Sequence, residues 1–162
     1  DPVMYIDDRW LYDQEDDLPP VVELDLTIQR PEISIVGSDI TIVASGHASL
    51  LAREAAEQLK NEGILVEVVD IRVLNPFHAE EIIKSVKKTK NLLAIDSGWI
   101  SGGFSAEIIA KVVEQLPVDC LNNPPTRLAL PDAPAPVSRV LEKAYYTTTD
   151  DVVNIVKKIV KS

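Results

Sequence analysis

Four side chains that can carry acid/base or anion chemistry follow predicted β-strands at the point where each strand ends. They are His47, Asp70, Arg72 and Asp96. Because the carboxyl ends of parallel strands meet at one edge of a sheet, where ligands usually bind, these side chains form a candidate polar cluster. A histidine and two carboxylates could move protons there, and an arginine could bind an anion. The same residues also commonly cap helices or form structural ion pairs, so no catalytic residue is assigned.

Other motifs give weaker chemical signals. The sequence SGHAS around His47 lacks the G-x-S-x-G turn that exposes a nucleophilic serine. The glycine-rich stretch GWISGGF matches neither G-x-G-x-x-G nor a Walker loop, so it predicts no nucleotide site. His47 and His78 lie 31 positions apart and Cys120 is the single cysteine, so we predict no metal site and no internal disulfide.

The elements that would position these residues follow an alternating pattern. Short apolar, β-branched runs predict strands at residues 33–36, 40–44, 64–70, 91–96 and 118–121. Helical periods predict helices from Gly46 to Gly63, over Ala79–Thr89 and from Phe104 to Leu116. This alternation predicts an α/β fold: a three-layer α/β/α sandwich with a mainly parallel sheet of about five strands, one edge strand antiparallel.

The C-terminal part predicts a proline-rich loop followed by a helix. Residues 124–136, PPTRLALPDAPAP, contain too many prolines for a helix or a central strand, so we expect an extended loop. The final helix has an apolar face and a candidate capping box formed by Thr148 and Asp151.

The charge is concentrated in the N-terminal segment. Formal net charge is −10, and Asp1–Asp25 alone contains nine acidic residues and one basic residue. We therefore divide the chain into an acidic arm or linker, residues 1–38, and a domain, residues 39–162, with a candidate strand at Val3–Ile6. Because the chain opens with Asp1 in mid-pattern, we expect it to be a fragment of a longer protein. Nucleic acid is an unsuitable partner for such a charge balance, and a basic protein fits better.

Composition excludes several protein classes. The chain is 46% hydrophobic and 26% charged, which is typical of a globular domain. The longest uncharged apolar stretch, Ile40–Ala52, is well short of the roughly 20 residues of a membrane helix, so we predict no membrane span. The expected compartment is the cytoplasm, or the mitochondrial matrix if the source is eukaryotic.

Five motifs in order resemble one family. They are DPVMYIDDRWLYD, GSDITIVASGHASLLAREAAEQL, VEVVDIRVLNPF, DSGWISGGFSAEI and TRLALPDAPAPVSRVLE. They are similar to the C-terminal, transketolase C-terminal-like part of the beta chain of the thiamine-diphosphate-dependent decarboxylating component of 2-oxo acid dehydrogenase complexes, such as pyruvate or branched-chain 2-oxo acid dehydrogenase. Transketolase and deoxyxylulose-phosphate synthase share this domain more distantly.

The resemblance implies a role in assembly. In the complete enzyme, thiamine diphosphate and Mg²⁺ are bound by a preceding domain and by the alpha chain, so we expect no cofactor in this fragment and no activity of the fragment alone. The implied partners are other beta and alpha chains and, in several complexes, the basic subunit-binding domain of the acyltransferase component. A transketolase or deoxyxylulose-phosphate synthase-like enzyme and a non-catalytic protein-binding module remain the alternatives.

Aromatic and apolar residues outside the predicted core are candidates for the subunit interface. A domain that assembles into a larger enzyme leaves apolar surface exposed, and aromatic side chains dominate such surfaces. The candidates are Trp10, Leu11 and Tyr12 in the arm and Trp99 and Ile100 in the glycine-rich turn. Trp99 could equally cover the end of its own sheet.

Overall fold

The computed structural model contains one five-stranded sheet between two layers of helices. It describes residues 2–15, 17, 20, 22–117 and 119–161. The strands are β1 (Glu32–Ile35), β2 (Ile40–Ala44), β3 (Val66–Asp70), β4 (Leu92–Trp99) and β5 (Thr126–Leu130). Their order across the sheet is β1-β3-β2-β4-β5. The β1–β3 pair is antiparallel and the other pairs are parallel, which confirms the predicted α/β sandwich with an antiparallel edge strand.

Helices cover both faces of the sheet. The helices are α1 (His47–Lys60), α2 (Glu80–Thr89), α3 (Phe104–Gln115), α4 (Arg139–Tyr145) and α5 (Thr149–Val160), and a short 3₁₀ helix spans Arg9–Leu11. Apolar residues of α1 and α5 pack on one face of the sheet, and those of α2 and α3 pack on the other. None of the helices in the described part of the chain has both the length and the apolar composition that a membrane span needs.

The sequence periods predicted most of these elements. In β2, Ile40, Ile42 and Ala44 belong to one core and Val43 belongs to the other, as alternation in a strand requires. The predicted capping box of α5 is present, since Thr148 and Asp151 exchange side-chain and backbone hydrogen bonds.

The predicted loop at residues 124–136 contains a strand instead. Strand β5 occupies Thr126–Leu130, a segment without proline that lies between Pro125 and Pro131. A strand is allowed there because β5 is at the edge of the sheet and the prolines lie outside the paired residues. The strand predicted at 118–121 is wrong: Asp119 and Cys120 form a turn and bend, Leu121 belongs to no helix or strand, and Val118 lies outside the described residues.

Two further expectations need correction, the end of β4 and the strand at Val3–Ile6, and one helix was missed. Strand β4 extends to Trp99, three residues beyond the predicted end, because Trp99 pairs with Leu130 of β5 after a bulge. Helix α4 was not predicted. Residues 3–6 belong to no helix or strand, so the candidate strand at Val3–Ile6 is wrong. Strand β1 lies N-terminal to residue 39 and nevertheless pairs with β3 of the sheet.

A buried carboxylate joins β3 to α2. Glu67 is 1% exposed, and its Oε2 accepts a hydrogen bond from the Gly37 amide at 3.2 Å and forms an ion pair with Lys88. Beside it, the Thr41 hydroxyl bonds to Ser85, at 2.7 Å. Burial raises the pKa of Glu67, but hydrogen bonds from Lys88, Ser85 and the Gly37 amide lower it more, so the carboxylate is charged and compensated in the fold.

Candidate functional site

The carboxyl edge of the sheet contains a cavity of about 870 Å³. Its apolar floor comes from β4, β5 and α1, with Ile95, Leu130 and Leu51 among the lining residues. His47, at the start of α1, and Asp96, in β4, both line it. The structure therefore brings together two of the four residues of the predicted polar cluster.

The other two residues of that cluster lie outside the cavity lining. Arg72 forms an ion pair with Glu32 of β1, with 2.7 Å between Nη1 and Oε2. The Arg72 amide donates to Oδ1 of Asp70 at 3.3 Å, in a turn where Arg72 has a φ of 63°. Asp70 and Arg72 thus connect the end of β3 to β1 and form a structural turn instead of one site with His47.

The Asp96 carboxylate accepts hydrogen bonds that hold the turn between β4 and α3. Its Oδ1 accepts the Gly98 amide at 2.8 Å and its Oδ2 accepts the Ser105 amide at 2.9 Å. Ser105 lies in the first turn of α3, where backbone amides have no partner within the helix. A carboxylate with both oxygens accepting amides stabilises the turn and is poorly placed to act as a general base.

Trp10 of the arm lines the cavity and is 59% exposed. Its ring stacks on His47 with 5.5 Å between ring centroids, and it contacts the edge of Tyr146 at 5.6 Å. Leu11 is half-buried, whereas the Tyr12 side chain is exposed and its hydroxyl donates to Asp7 at 3.1 Å. Of the three predicted interface residues in the arm, Trp10 therefore already has an intramolecular partner.

Trp99 and Ile100 have different roles at the end of β4. Trp99 is 55% exposed, and its indole N–H donates to the Tyr145 hydroxyl at 3.1 Å. The Ile100 amide donates to the Leu130 carbonyl at 2.8 Å, and its own carbonyl accepts from Arg127 at 2.7 Å. Ile100 thus holds the edge strand, and Trp99 lies between the sheet and α4.

Sequence reasoning missed the wall of the cavity that α4 provides. Arg139, Glu142, Lys143 and Tyr146 line it. Their spacing of i, i+3, i+4 and i+7 is that of one helical face, which was the available signal. The predicted loop covered residues 124–136, and no element was predicted for residues 139–145.

The cavity can accommodate a ligand, but its lining residues do not form a complete set of catalytic groups. Its polar groups carry both signs of charge, and Asp96 is already hydrogen-bonded. Across residues 2–15, 17, 20, 22–117 and 119–161, no three His, Cys, Asp or Glu side chains come together as ligands for a metal ion. The described residues therefore do not fit a Mg²⁺-diphosphate site, which needs several oxygen ligands around the ion.

Comparison with known proteins finds one matching family and several similar proteins. The family described as "Transketolase, C-terminal domain" matches residues 32–152. The chain is 35% identical over 165 residues to the pyruvate dehydrogenase E1 component subunit beta, mitochondrial, of Dictyostelium discoideum, with 98% of this chain and 45% of that protein covered. It is 32% identical to the 2-oxoisovalerate dehydrogenase subunit beta 2, mitochondrial, of Arabidopsis thaliana, with 98% and 44% covered.

A solved structure extends this similarity to three dimensions. The split gene transketolase described as an inactive beta4 tetramer superposes with a TM-score of 0.74 at 26% identity, covering 91% of this chain and 46% of that one. The chain thus spans about half the length of the relatives it matches.

Proposed function

Because the chain belongs to the transketolase C-terminal domain family, we propose that it is the C-terminal assembly domain of a 2-oxo acid dehydrogenase beta subunit of the pyruvate dehydrogenase type. The complete enzyme would oxidatively decarboxylate a 2-oxo acid and transfer the acyl group to a lipoyl group. This chain would contribute subunit contacts, and chemistry would belong to the whole enzyme.

One observation carries the proposal. Similarity to beta subunits extends over 97–98% of the chain, and it therefore includes the acidic arm as well as the folded domain. The structure is consistent with an assembly role, since the polar residues at the sheet edge hold turns and strands together, as Asp96 and Arg72 do. Exposed aromatic surface remains at Trp99.

Thiamine diphosphate and Mg²⁺ belong to the complete enzyme in this proposal. The described residues of this chain offer no cluster of metal ligands, so the cofactor would be bound by other parts of the assembly. No step of the reaction is assigned to His47, Asp70, Arg72 or Asp96. The cellular location would follow that of the complex: the cytoplasm in bacteria and the mitochondrial matrix in eukaryotes.

The proposed partners are beta and alpha chains, together with the basic subunit-binding domain of the acyltransferase component. Beta-chain self-assembly is supported by the split gene transketolase relative, which is described as an inactive beta4 tetramer. The acidic arm, with nine acidic residues in Asp1–Asp25, is complementary to a basic domain. Its exposed charges are screened over about 10 Å at 0.1 M salt, so this contact would weaken as salt rises.

The test is reconstitution from separate parts. The chain is mixed with an alpha chain and the thiamine-binding half of a beta chain, and release of CO₂ from pyruvate and from branched-chain 2-oxo acids is measured. We expect a stable complex and CO₂ release only when all parts are present. Absence of any complex across related alpha and beta partners would contradict the proposed function.

A transketolase-type synthase is the second candidate. It is favoured by the split gene transketolase, which covers 91% of this chain at 26% identity. The same reconstituted mixtures decide between the candidates, because a transketolase would transfer a two-carbon unit between sugar phosphates and release no CO₂ from a 2-oxo acid. A free-standing binding module would bind a basic partner through the arm and form no complex with thiamine-binding chains.

A further inference from the structure

The cavity at the carboxyl edge of the sheet lies where the chain leaves two neighbouring strands in opposite directions. Strands β2 and β4 are adjacent and parallel. Helix α1, which follows β2, packs on one face of the sheet, and α3, which follows β4, packs on the other. A crevice therefore opens between the carboxyl ends of β2 and β4, and ligands of parallel sheets usually bind in such a crevice. Ala48 of α1 and Ile95 of β4 both line the cavity.

The floor of this cavity is apolar and largely buried. Ala48 and Ile95 are each 2% exposed, Leu130 is 9% exposed and Leu51 is half-buried. The cavity volume of about 870 Å³ is within the range of small-molecule sites, which are mostly apolar with a few polar groups. Covering apolar surface that water would otherwise contact is favourable, so the floor favours a ligand with an apolar body.

Helix α4 turns its charged side toward the mouth of the cavity. Arg139, Glu142 and Lys143 line the cavity. Val140 and Leu141, the apolar stripe of α4, are 78% and 57% exposed instead. An amphipathic helix in a globular domain normally places its apolar residues against the rest of the protein, so this orientation is reversed.

Tyr145 holds α4 in this orientation. Its hydroxyl donates to the Ala133 carbonyl at 2.7 Å and accepts the Trp99 indole N–H at 3.1 Å. These bonds attach the end of α4 to the loop that precedes it and to the end of β4. The fold therefore keeps the charged side of α4 at the cavity.

Two cations at the mouth lack a counter-charge in the part of the chain that the structure describes. Arg139 and Lys143 form no ion pair with any described residue. Two acids of the lining, Asp8 and Asp96, accept hydrogen bonds from backbone amides, and a third, Glu142, lies on α4 itself. A guanidinium matches a carboxylate in both charge and shape, so an anionic group at the mouth would complement these cations.

We propose that the cavity binds a small apolar carboxylate, with its apolar body on the floor and its carboxylate group beside Arg139 and Lys143. The wall fits the apolar body, because the Trp10 ring packs on His47 and Tyr146 and offers aromatic surface. Helix α1 begins at the cavity without a side-chain cap, and the N-terminus of a helix favours negative charge. The inference goes beyond the assembly role and does not depend on it, since the cavity lies within this chain.

Straight-chain carboxylates test the two halves of the proposed ligand. Trp10 and Trp99 are the two tryptophans, so the NMR spectrum should contain two indole N–H signals, and Trp10→Phe identifies that of Trp10. Titration with octanoate should shift the Trp10 signal and saturate with a Kd of about 1 mM or below. Affinity should rise about two- to fourfold for each methylene added from hexanoate to octanoate. Octanamide has the same body without the charge and should bind about fivefold more weakly.

Two double variants separate the cavity from general charge. Arg139→Gln with Lys143→Gln removes the cations of the mouth, whereas Arg53→Gln with Lys60→Gln removes the same charge from exposed positions of α1 outside the lining. The first should weaken octanoate binding about fivefold and the second less than about twofold. Glu142→Gln should strengthen binding, because it removes a like charge from the mouth. Melting temperatures close to that of wild type are expected for all three, since these side chains do not pack in the core.

Three results would overturn the inference. They are no saturable shift of the Trp10 signal at ten times the expected Kd, equal affinity for octanamide and octanoate, or equal losses of affinity in the two double variants. Each can occur while the proposed assembly role holds, because that role is tested by complex formation in the reconstitution.

Discussion

Asp96 and Gly103 fit against each other so closely that Gly103 has no room for a side chain. A Cβ atom on Gly103 would lie 2.7 Å from Oδ2 of Asp96 and 2.2 Å from the backbone oxygen of Trp99. The same Oδ2 accepts the Ser105 amide at 2.9 Å. The glycine is thus required for close approach between the end of β4 and the start of α3.

Gly103→Ala should destabilise the domain by about 1–3 kcal/mol, because the backbone oxygen cannot move without opening the turn. Urea denaturation measures this change. Gly98→Ala is the control: its Cβ would meet only the Asp96 side chain, at 3.2 Å, and we expect a clearly smaller loss. Equal losses in the two variants would contradict the close-approach argument.

Lys88→Met should destabilise the fold by about 2–3 kcal/mol, because it leaves the buried carboxylate of Glu67 without its counter-charge. Lys87→Met is the control. Lys87 is exposed on the same helix and forms no ion pair within the described part of the chain, so its replacement should change stability by less than about 0.5 kcal/mol. Denaturant titration of both variants at neutral pH measures the two changes in the free energy of unfolding.

Glu67 should also contribute to acid unfolding. Its pKa in the fold lies below the ordinary glutamate value of 4.5, so its contribution to stability is present above about pH 4.5 and is lost as pH falls through the lower folded pKa. Glu67→Gln should therefore be less stable than wild type at neutral pH and lose less stability on acidification. Parallel stability–pH curves for the two proteins would disprove this.

Ile108→Ala should cost about 2–5 kcal/mol, because Ile108 is 1% exposed in the core between α3 and the sheet. Val113→Ala, at a position 50% exposed on the same helix, should cost less than about 1 kcal/mol. Thermal and urea unfolding give both values. The comparison tests whether the face of α3 that contains Ile108 is the packed one.

The chain alone should bind no thiamine diphosphate with Mg²⁺ in the micromolar range, since its described residues bring together no set of metal ligands. Isothermal titration calorimetry should give no saturable heat. A Kd of about 1 μM, which corresponds to about −8 kcal/mol, would contradict this prediction.

Local sequence was sufficient for the elements whose signals are local. The helical period of α3, the apolar, β-branched run of β2 and the capping box of α5 each depend on residues within a few positions of one another. Such patterns follow from the geometry of the helix and the strand, so the α/β class and the antiparallel edge could be predicted.

The candidate site could be predicted only in part. Strand-end positions grouped His47 and Asp96, which line one cavity, with Asp70 and Arg72, which do not. Arg72 pairs with Glu32, 40 residues earlier in the chain, and nothing in the local sequence indicates that contact. Strand β5 was missed for a related reason, because its flanking prolines indicated a loop and its pairing with β4 is a long-range contact.

The sequence by itself therefore determined the order of the elements from β1 to α3, the final helix α5, the apolar residues of the core and the acidic character of the arm. Only the tertiary structure decided that Asp96 holds a turn, that Trp10 stacks on His47, and that the apolar stripe of α4 faces solvent. The physical reason is that periodicity records which residues share a face of an element. The direction in which that face points is set by distant contacts, here the bonds from Tyr145 to Trp99 and Ala133.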